Sequence, residues 1–255
     1  HFHAAGGLGY MIGDLLDNGL LHADSTTIIG NGLRDYTKEP KLREGRVVFE
    51  DGSGKSLNEK ILRTSKDPFQ QSGGLKSLSG NLGTGIMKVS AVAPERRVVE
   101  AKVRVFSDQQ PVKDAFNAGE FTEDTIVVVR FQGPHANGMP ELHSLTPTLS
   151  ILQDRGLKVA LVTDGRMSGA SGKVPSAIHV SPEAALGGPL AKLKDGDRVV
   201  VDAETGLLEC LEEGFDERAP ISIDLSANNS GLGRELFDVF RNNVGLATAG
   251  AGVVV

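Results

Sequence analysis

The sequence predicts a mixed α/β fold, and three observations support that prediction. Short apolar, β-rich runs recur along residues 72–255, helical patterns lie between several of them, and glycines mark many of the junctions. Glycine accounts for 32 of the 255 residues without any Gly-X-Y period, so the excess indicates turns and close backbone approaches. Strands that alternate with helices are typical of sheets covered by helices.

The strands are predicted from runs of β-branched and aromatic residues. We expect them at residues 85–92, 97–106, 125–131, 158–163 and 197–201. The runs Thr125–Phe131 and Val159–Val162 are apolar with little alternation, which favours strands buried on both faces. A Glu-Thr-Gly turn follows the last strand and predicts a β-hairpin.

Helices are predicted where apolar side chains recur at helical spacing. They are expected at residues 8–21, 111–118, 142–155, 181–186 and 233–241. In the last of these, Leu236, Val239 and Phe240 are expected to face inward. Residues 31–67 are polar and hold a proline and several glycines, which predicts loops with one weak strand at residues 46–49.

Composition excludes several classes of protein. The net charge is −6 and no basic block is present, which argues against nucleic acid or an acidic membrane as a partner. No apolar run approaches the ~18 residues that a membrane span needs. The one cysteine, Cys210, can neither form an internal disulfide nor hold an iron–sulfur cluster by itself, and a reducing cytoplasmic location is expected. The opening His1-Phe2-His3, without Met or a signal pattern, predicts that more polypeptide lies upstream.

The strongest candidate for a functional loop is residues 163–173, which directly follow an apolar strand. Arg166 and Lys173 supply positive charge there, and Ser168 and Ser171 supply hydroxyl groups. Ligands bind at the carboxyl ends of strands in α/β folds, and glycines let backbone N–H groups approach an anion. The alternative interpretation is a tight turn with solvated charges. The segment fits neither a Walker loop nor a nucleophile elbow.

A second candidate follows the strand at residues 125–131. Glu141 comes directly after Pro140, at a predicted helix start. It could bind a metal or exchange protons, or it could simply favour the helix dipole. His135 and His143 are expected to be surface or packing residues, and His179 is expected to lie in the core.

A third candidate is the glycine-rich segment Ser79–Lys88, which precedes a predicted strand. Asn81 and Lys88 could help to hold an anionic or hydroxylated ligand. A plain turn is the alternative.

Four segments together resemble the dihydroxy-acid dehydratase/6-phosphogluconate dehydratase family. They are residues 1–7 (HFHAAGG), 78–83 (LSGNLG), 133–143 (GPHANGMPELH) and 162–183 (VTDGRMSGASGKVPSAIHVSPE). The sequences of residues 170–177 and 234–237 are similar to those of the 6-phosphogluconate branch of the family. This resemblance implies that the chain is roughly the C-terminal two-fifths of a longer enzyme.

The resemblance also implies a domain organisation and cofactors. Residues 1–70 would end an N-terminal α/β domain, and residues 71–255 would form a β-barrel-like, swivelling β/β/α domain. An iron–sulfur cluster, 4Fe-4S or 2Fe-2S, would have its ligands in the upstream part, with none in this chain. Glu141 would bind a divalent metal such as Mg²⁺. A homodimer is expected.

The activity that the resemblance implies is the dehydration of 6-phospho-D-gluconate to 2-dehydro-3-deoxy-6-phospho-D-gluconate, a step of the Entner-Doudoroff pathway. Ser168 would be the base, while Arg166, Lys173, Ser171, Asn81 and Lys88 are the candidates for binding substrate. The 255-residue chain alone is then expected to be inactive. Two alternatives stay open: another dihydroxy-acid or sugar-acid dehydratase of the same family, and an anion-binding module without catalysis.

Overall fold

A computed structural model describes residues 1–167 and 173–254, and the chain divides into two compact units, residues 1–72 and residues 73–255. The first unit holds helix α1 (Gly7–Asp17) and two antiparallel hairpins. These are β1 (Thr26–Thr27) with β2 (Gly30–Asn31), and β3 (Lys38–Arg43) with β4 (Arg46–Asp51). A small core forms where Tyr10 of α1 packs with Ala5 and Leu62.

The loops expected at residues 31–67 are only partly found. Strand β4 confirms the weak strand, but β3 pairs with it along its whole length. The β3 sequence KEPKLR lacks the apolar alternation that reveals a strand, because most of its side chains are exposed. Helix α1 ends at Asp17, and Asn18 closes it with hydrogen bonds from its N–H. This end agrees with the sequence, in which Asn18 and Gly19 predict where the helix stops.

A closed barrel of eight strands forms the second unit, counted over the residues that the structure describes. The strands are β5 (Leu75–Gly80), β6 (Gly83–Lys88), β7 (Val98–Phe106), β8 (Thr125–Val129), β9 (Val159–Thr163), β10 (Ser176–Ser181), β11 (Arg198–Asp202) and β12 (Leu207–Cys210). Around the barrel, neighbouring strands follow the order β10-β6-β5-β12-β11-β7-β8-β9. Strands β7, β8, β9 and β10 pair in parallel. The mixed α/β prediction with a β-barrel-like domain is therefore confirmed.

Two layers of apolar side chains stabilise the barrel. Every residue of β8 and β9 is buried, since side chains on one face fill the barrel interior and those on the other meet helices. These helices are α2 (Gln109–Asn117) and α4 (Leu145–Asp154). The unit also contains the single-turn α3 (Pro134–Asn137) and α5 (Asp238–Asn243), which has no buried residue. Leu149 and Leu152 of α4 are fully buried in the outer layer. Because both faces of β8 and β9 are buried, their sequences are continuous apolar runs.

Two sequence predictions for this unit are wrong, and two strands, β5 and β10, were not predicted. The helix expected at residues 181–186 is the end of β10 followed by a 3₁₀ turn, because the residue before a proline, here Ser181, is driven into extended backbone. The apolar side chains expected to face inward from residues 233–241 are exposed. No helix within the described ranges is long and apolar enough to cross a membrane.

Gly80 is tightly enclosed where β5 meets β12. A Cβ atom there would lie 2.2 Å from the backbone oxygen of Leu208, which cannot rotate away. We therefore expect Gly80→Ala to destabilise the protein by about 1–3 kcal/mol. Gly73→Ala is the matched control, since its Cβ would meet nothing within 4 Å. Thermal unfolding of the full-length variants checks this, and equal midpoints for the two would contradict it.

Candidate active site at the carboxyl rim of the barrel

The parallel strands β7, β8, β9 and β10 all end at one edge of the barrel, which we call the carboxyl rim. The loops that follow β8, β9 and β10 therefore start side by side. Two of these loops carry the segments predicted to be functional. The carboxyl ends of neighbouring parallel strands are where α/β folds bind ligands.

Asp164, the first residue after β9, joins all three loops. Its carboxylate accepts hydrogen bonds from the backbone N–H groups of Phe131 (3.1 Å), Gln132 (2.9 Å) and Ala184 (2.9 Å). The side chain is fully buried. Burial raises the pKa of Asp164, and the three hydrogen bonds oppose that shift. Because the carboxylate is closed off from solvent, it serves to position the loops.

A second buried carboxylate, Glu183, lies beneath the loop after β8. Its Oε1 accepts from the N–H of His135 at 2.8 Å and lies 2.7 Å from His135 Nδ1. Burial raises the pKa of Glu183, while contact with His135 opposes the shift. The carboxylate fills the space that a Cβ on Gly133 would need, because that atom would lie 1.6 Å from Glu183 Oε2. Glycine at position 133 is therefore required for this packing.

Glu141 and Arg166, both predicted as site residues, lie next to each other. Their backbones form a parallel bridge, and the N–H of Leu142 donates to the oxygen of Arg166 at 2.9 Å. Arg166 Nε donates to the backbone oxygen of Met139 at 2.8 Å. Arg166 is exposed and Glu141 is half-buried. The rim thus presents one cation and one carboxylate on two adjoining backbones.

His179 also lies beside this pair, although the sequence suggested a core residue. It is half-buried at an irregularity in β10, with φ of 56°, and its N–H donates to the oxygen of Gly165 at 2.9 Å. Burial lowers the pKa of His179, and the positive charge of Arg166 lowers it further. Alternating burial in a strand could not reveal this position, because the bulge breaks the alternation.

The remaining predicted residues are distributed differently. Ser168 and Ser171 lie outside the described residues, and Lys173 is exposed. The Asn81 amide both donates to and accepts from the backbone of Cys210, at 2.8 Å each, so it fastens the β5–β6 turn to β12. Lys88 lies at the other end of β6, roughly 20 Å along the strand direction from Asn81. The structure does not bring these two side chains together.

The described residues do not form a complete metal site. Within residues 1–167 and 173–254, no three His, Cys, Asp or Glu side chains group as metal ligands. Glu141 offers one carboxylate, so a divalent metal there would need further ligands from elsewhere. Cys210 lies in the barrel core, and burial raises the pKa of its thiol. That environment disfavours the thiolate that a cluster requires.

Sequence reasoning missed the roles of Asp164 and Glu183. Asp164 stood inside the predicted loop, and its position directly after a buried strand was the available signal. Glu183 carried no signal, because its partners are about 50 residues away in sequence. The motif resemblance included both residues without assigning them a function.

Comparison with known proteins identifies what this chain is similar to. The sequence profile of the family described as dihydroxy-acid/6-phosphogluconate dehydratase C-terminal matches residues 60–251. Phosphogluconate dehydratase of Pseudomonas aeruginosa is 59% identical over 255 residues, which cover 98% of this chain and 41% of the relative. The phosphogluconate dehydratase of Rhizobium meliloti is 54% identical, covering 100% and 42%. A dihydroxy-acid dehydratase of Desulfitobacterium hafniense is 38% identical, covering 85% and 36%. The chain thus spans about two-fifths of the length of the phosphogluconate dehydratases that it matches.

Removal of the Asp164 carboxylate should disrupt the rim. Asp164→Ala leaves three buried N–H groups without their acceptor, at about 1–3 kcal/mol each, so we expect a loss of roughly 3 kcal/mol or more in the free energy of unfolding. Asp154→Ala, at the exposed end of α4, is the control and should stay within about 0.5 kcal/mol. Denaturant unfolding of the full-length protein measures both, and a mild effect of Asp164→Ala would refute the positioning role.

Proposed function

The chain belongs to the dihydroxy-acid/6-phosphogluconate dehydratase family, and on that premise we propose that it is the C-terminal part of a hydro-lyase that dehydrates 6-phospho-D-gluconate. The observation that carries this proposal is the identity of 59% and 54%, over nearly the whole chain, with curated phosphogluconate dehydratases. Identity with a dihydroxy-acid dehydratase is lower, at 38%. This difference favours the phosphorylated sugar acid as substrate over a branched-chain dihydroxy acid.

The reaction needs a base at C2 and help for a poor leaving group at C3. The C2 proton is weakly acidic, and the departing group is hydroxide. Ser168 is proposed as the base that takes the C2 proton and later returns a proton to the enol. A serine oxygen can do this only beside positive charge, which stabilises the alkoxide. Arg166, two residues earlier in the chain and exposed at the carboxyl rim, is a source of that charge.

Membership of this family suggests a metal cofactor. We propose an iron–sulfur cluster whose ligands lie in the part of the polypeptide outside this chain, and a divalent cation with Glu141 as one of its ligands. Such a metal, when bound, supplies Lewis-acid assistance to the departure of hydroxide. The half-buried carboxylate of Glu141 is a hard oxygen ligand, which suits a divalent cation such as Mg²⁺.

The acidic ends of the substrate require cations on this face. Arg166 and Lys173 are proposed for that role, since both are exposed and both flank the segment that holds Ser168. A planar guanidinium can hold a carboxylate through two hydrogen bonds. A phosphorylated sugar acid is a cytoplasmic metabolite, so the proposal includes a cytoplasmic enzyme, and we propose a homodimer.

The substrate preference of the full-length protein tests this function directly. Purified without oxygen, it should form keto acid from 6-phosphogluconate much faster than from gluconate or 2,3-dihydroxyisovalerate. A keto-acid assay with the three substrates side by side measures this. Preference for either unphosphorylated acid would replace the proposed substrate with that of another dehydratase. No turnover of any of them would favour a non-catalytic module.

Ser168→Ala in the full-length enzyme should lower kcat for 6-phosphogluconate by about 10²–10⁴-fold or more, because it removes the proposed base. The visible absorption of the iron–sulfur cluster should stay unchanged, since the serine is not proposed as a ligand. Ser90→Ala, an exposed serine after β6, is the matched control and should retain wild-type rates. Wild-type turnover by Ser168→Ala would remove this residue from the mechanism.

A further inference from the structure

A cavity of about 400 Å³ opens beside the rim, between residues 134–139 and the C-terminal segment 228–253. Its size falls within the range of small-molecule sites. Among the described residues that line it, two are charged, Arg234 and Arg241, and both are positive. Phenylalanine and valine side chains form much of the remaining wall. Apolar walls lower the local dielectric constant, so these cations attract an anion more strongly than they would in open solvent.

The two arginines are used differently by the fold. Arg241 Nη1 donates to the oxygen of Arg234 at 2.8 Å, while Nη2 donates to Asn229 and Asp238 at 3.3 Å each. Only 11% of its side chain is exposed. Arg241 therefore fixes the backbone that carries Arg234.

Arg234 uses only one of its guanidinium nitrogens, Nη1, in the hydrogen bonds that the structure describes. Its Nη1 donates to the oxygen and to Oδ1 of Asn228, at 3.4 and 3.2 Å. Asn228 in turn donates to the oxygen of Ala136 in α3, at 3.0 Å, so Arg234 is tied to the loop after β8. Within the described part of the chain, the structure shows no partner for Nε or Nη2 of Arg234. The side chain is half-buried at the cavity wall, where these two donors could hold two oxygens of one anion.

The acidic residues of the C-terminal segment do not neutralise Arg234 directly. Glu235 accepts from the N–H of Gly231 at 2.7 Å, and Asp238 accepts from Arg241. Neither carboxylate lines the cavity. Asp238 pairs with Arg241, so Arg234 is the cation at the cavity wall that has no carboxylate partner among the described residues.

The cavity adjoins the proposed catalytic face. Met139 lines the cavity, and its backbone oxygen accepts the hydrogen bond from Arg166 Nε. Arg166 and the cavity wall that carries Arg234 thus share Met139 as a common neighbour. A substrate with a carboxylate at one end and a phosphate at the other would need two separate cationic positions in this arrangement.

We propose that Arg234 binds the phosphate group of the substrate in this cavity, which leaves Arg166 and Lys173 for the carboxylate. That this phosphate belongs to a sugar acid rests on the proposed function. The cavity and its arginines make Arg234 the residue that distinguishes a phosphorylated sugar acid from its unphosphorylated counterpart.

The test compares Arg234→Gln and wild type in the full-length enzyme with two substrates. For 6-phosphogluconate, kcat/KM should fall about 10- to 100-fold, mainly through KM, because a charge-assisted hydrogen bond is lost. For gluconate, kcat/KM should change by less than about twofold, since no phosphate is present. Arg155→Gln, exposed at the end of α4, is the matched control. Equal losses with both substrates, or no loss with 6-phosphogluconate, would overturn the proposal.

Two further measurements separate this inference from folding defects and from the proposed function. Arg234→Lys keeps the charge, so it should recover part of the selectivity lost in Arg234→Gln. If Arg234→Gln fails to fold, Arg234→Lys should still show a selective loss with 6-phosphogluconate, and wild-type selectivity in it would overturn the proposal. If the wild type dehydrates neither substrate, the proposed function fails. In that case the affinity for inorganic phosphate is measured by calorimetry in wild type and in Arg234→Lys. Weaker binding by Arg234→Lys would support the phosphate site, and equal binding would overturn it.

Discussion

The buried carboxylate of Asp164 is the interaction on which the arrangement of the rim depends. Loops that leave three neighbouring strands expose backbone N–H groups that no sheet partner satisfies. Asp164 accepts three of them, from Phe131, Gln132 and Ala184, at a position that water cannot reach. These bonds offset part of the cost of burying a carboxylate, and burial still raises the pKa of Asp164. Three loops are thereby held in one arrangement.

The rim separates residues that position from residues that can react. Asp164 and Glu183 are enclosed, and they hold the loops after β8, β9 and β10. Arg166 and Glu141 lie on the outside of the same framework, with their backbones bridged. A site built in this way keeps its accessible groups in fixed positions, because their supporting backbone cannot shift without breaking buried hydrogen bonds.

The C-terminal segment extends this surface away from the strand ends. Its apolar side chains were expected to be buried, yet several are exposed, and Phe237 and Phe240 contribute to the wall of the cavity that holds Arg234. Hydrogen bonds from Asn228 and Arg241 fasten the segment to α3 and to itself. The structure therefore provides cations at two places around Met139, a charge pattern suited to a ligand that is anionic at both ends.

The sequence by itself determined the mixed α/β class, the interior strands β8 and β9, the β11–β12 hairpin and the family, because apolar runs, turn residues and motifs are local signals. It also identified Glu141 and Arg166 as candidates, but not that they adjoin. Strands β5 and β10 and the closure of the barrel were decided by tertiary structure, because β5 is short and largely polar and β10 is bulged, so both become visible only through their partners. The role of Asn81 was also decided by tertiary structure, because its amide forms a hydrogen bond with the backbone of Cys210, 129 residues away. The roles of Asp164, Glu183 and Arg234 depend on long-range contacts, which no local pattern of residues encodes.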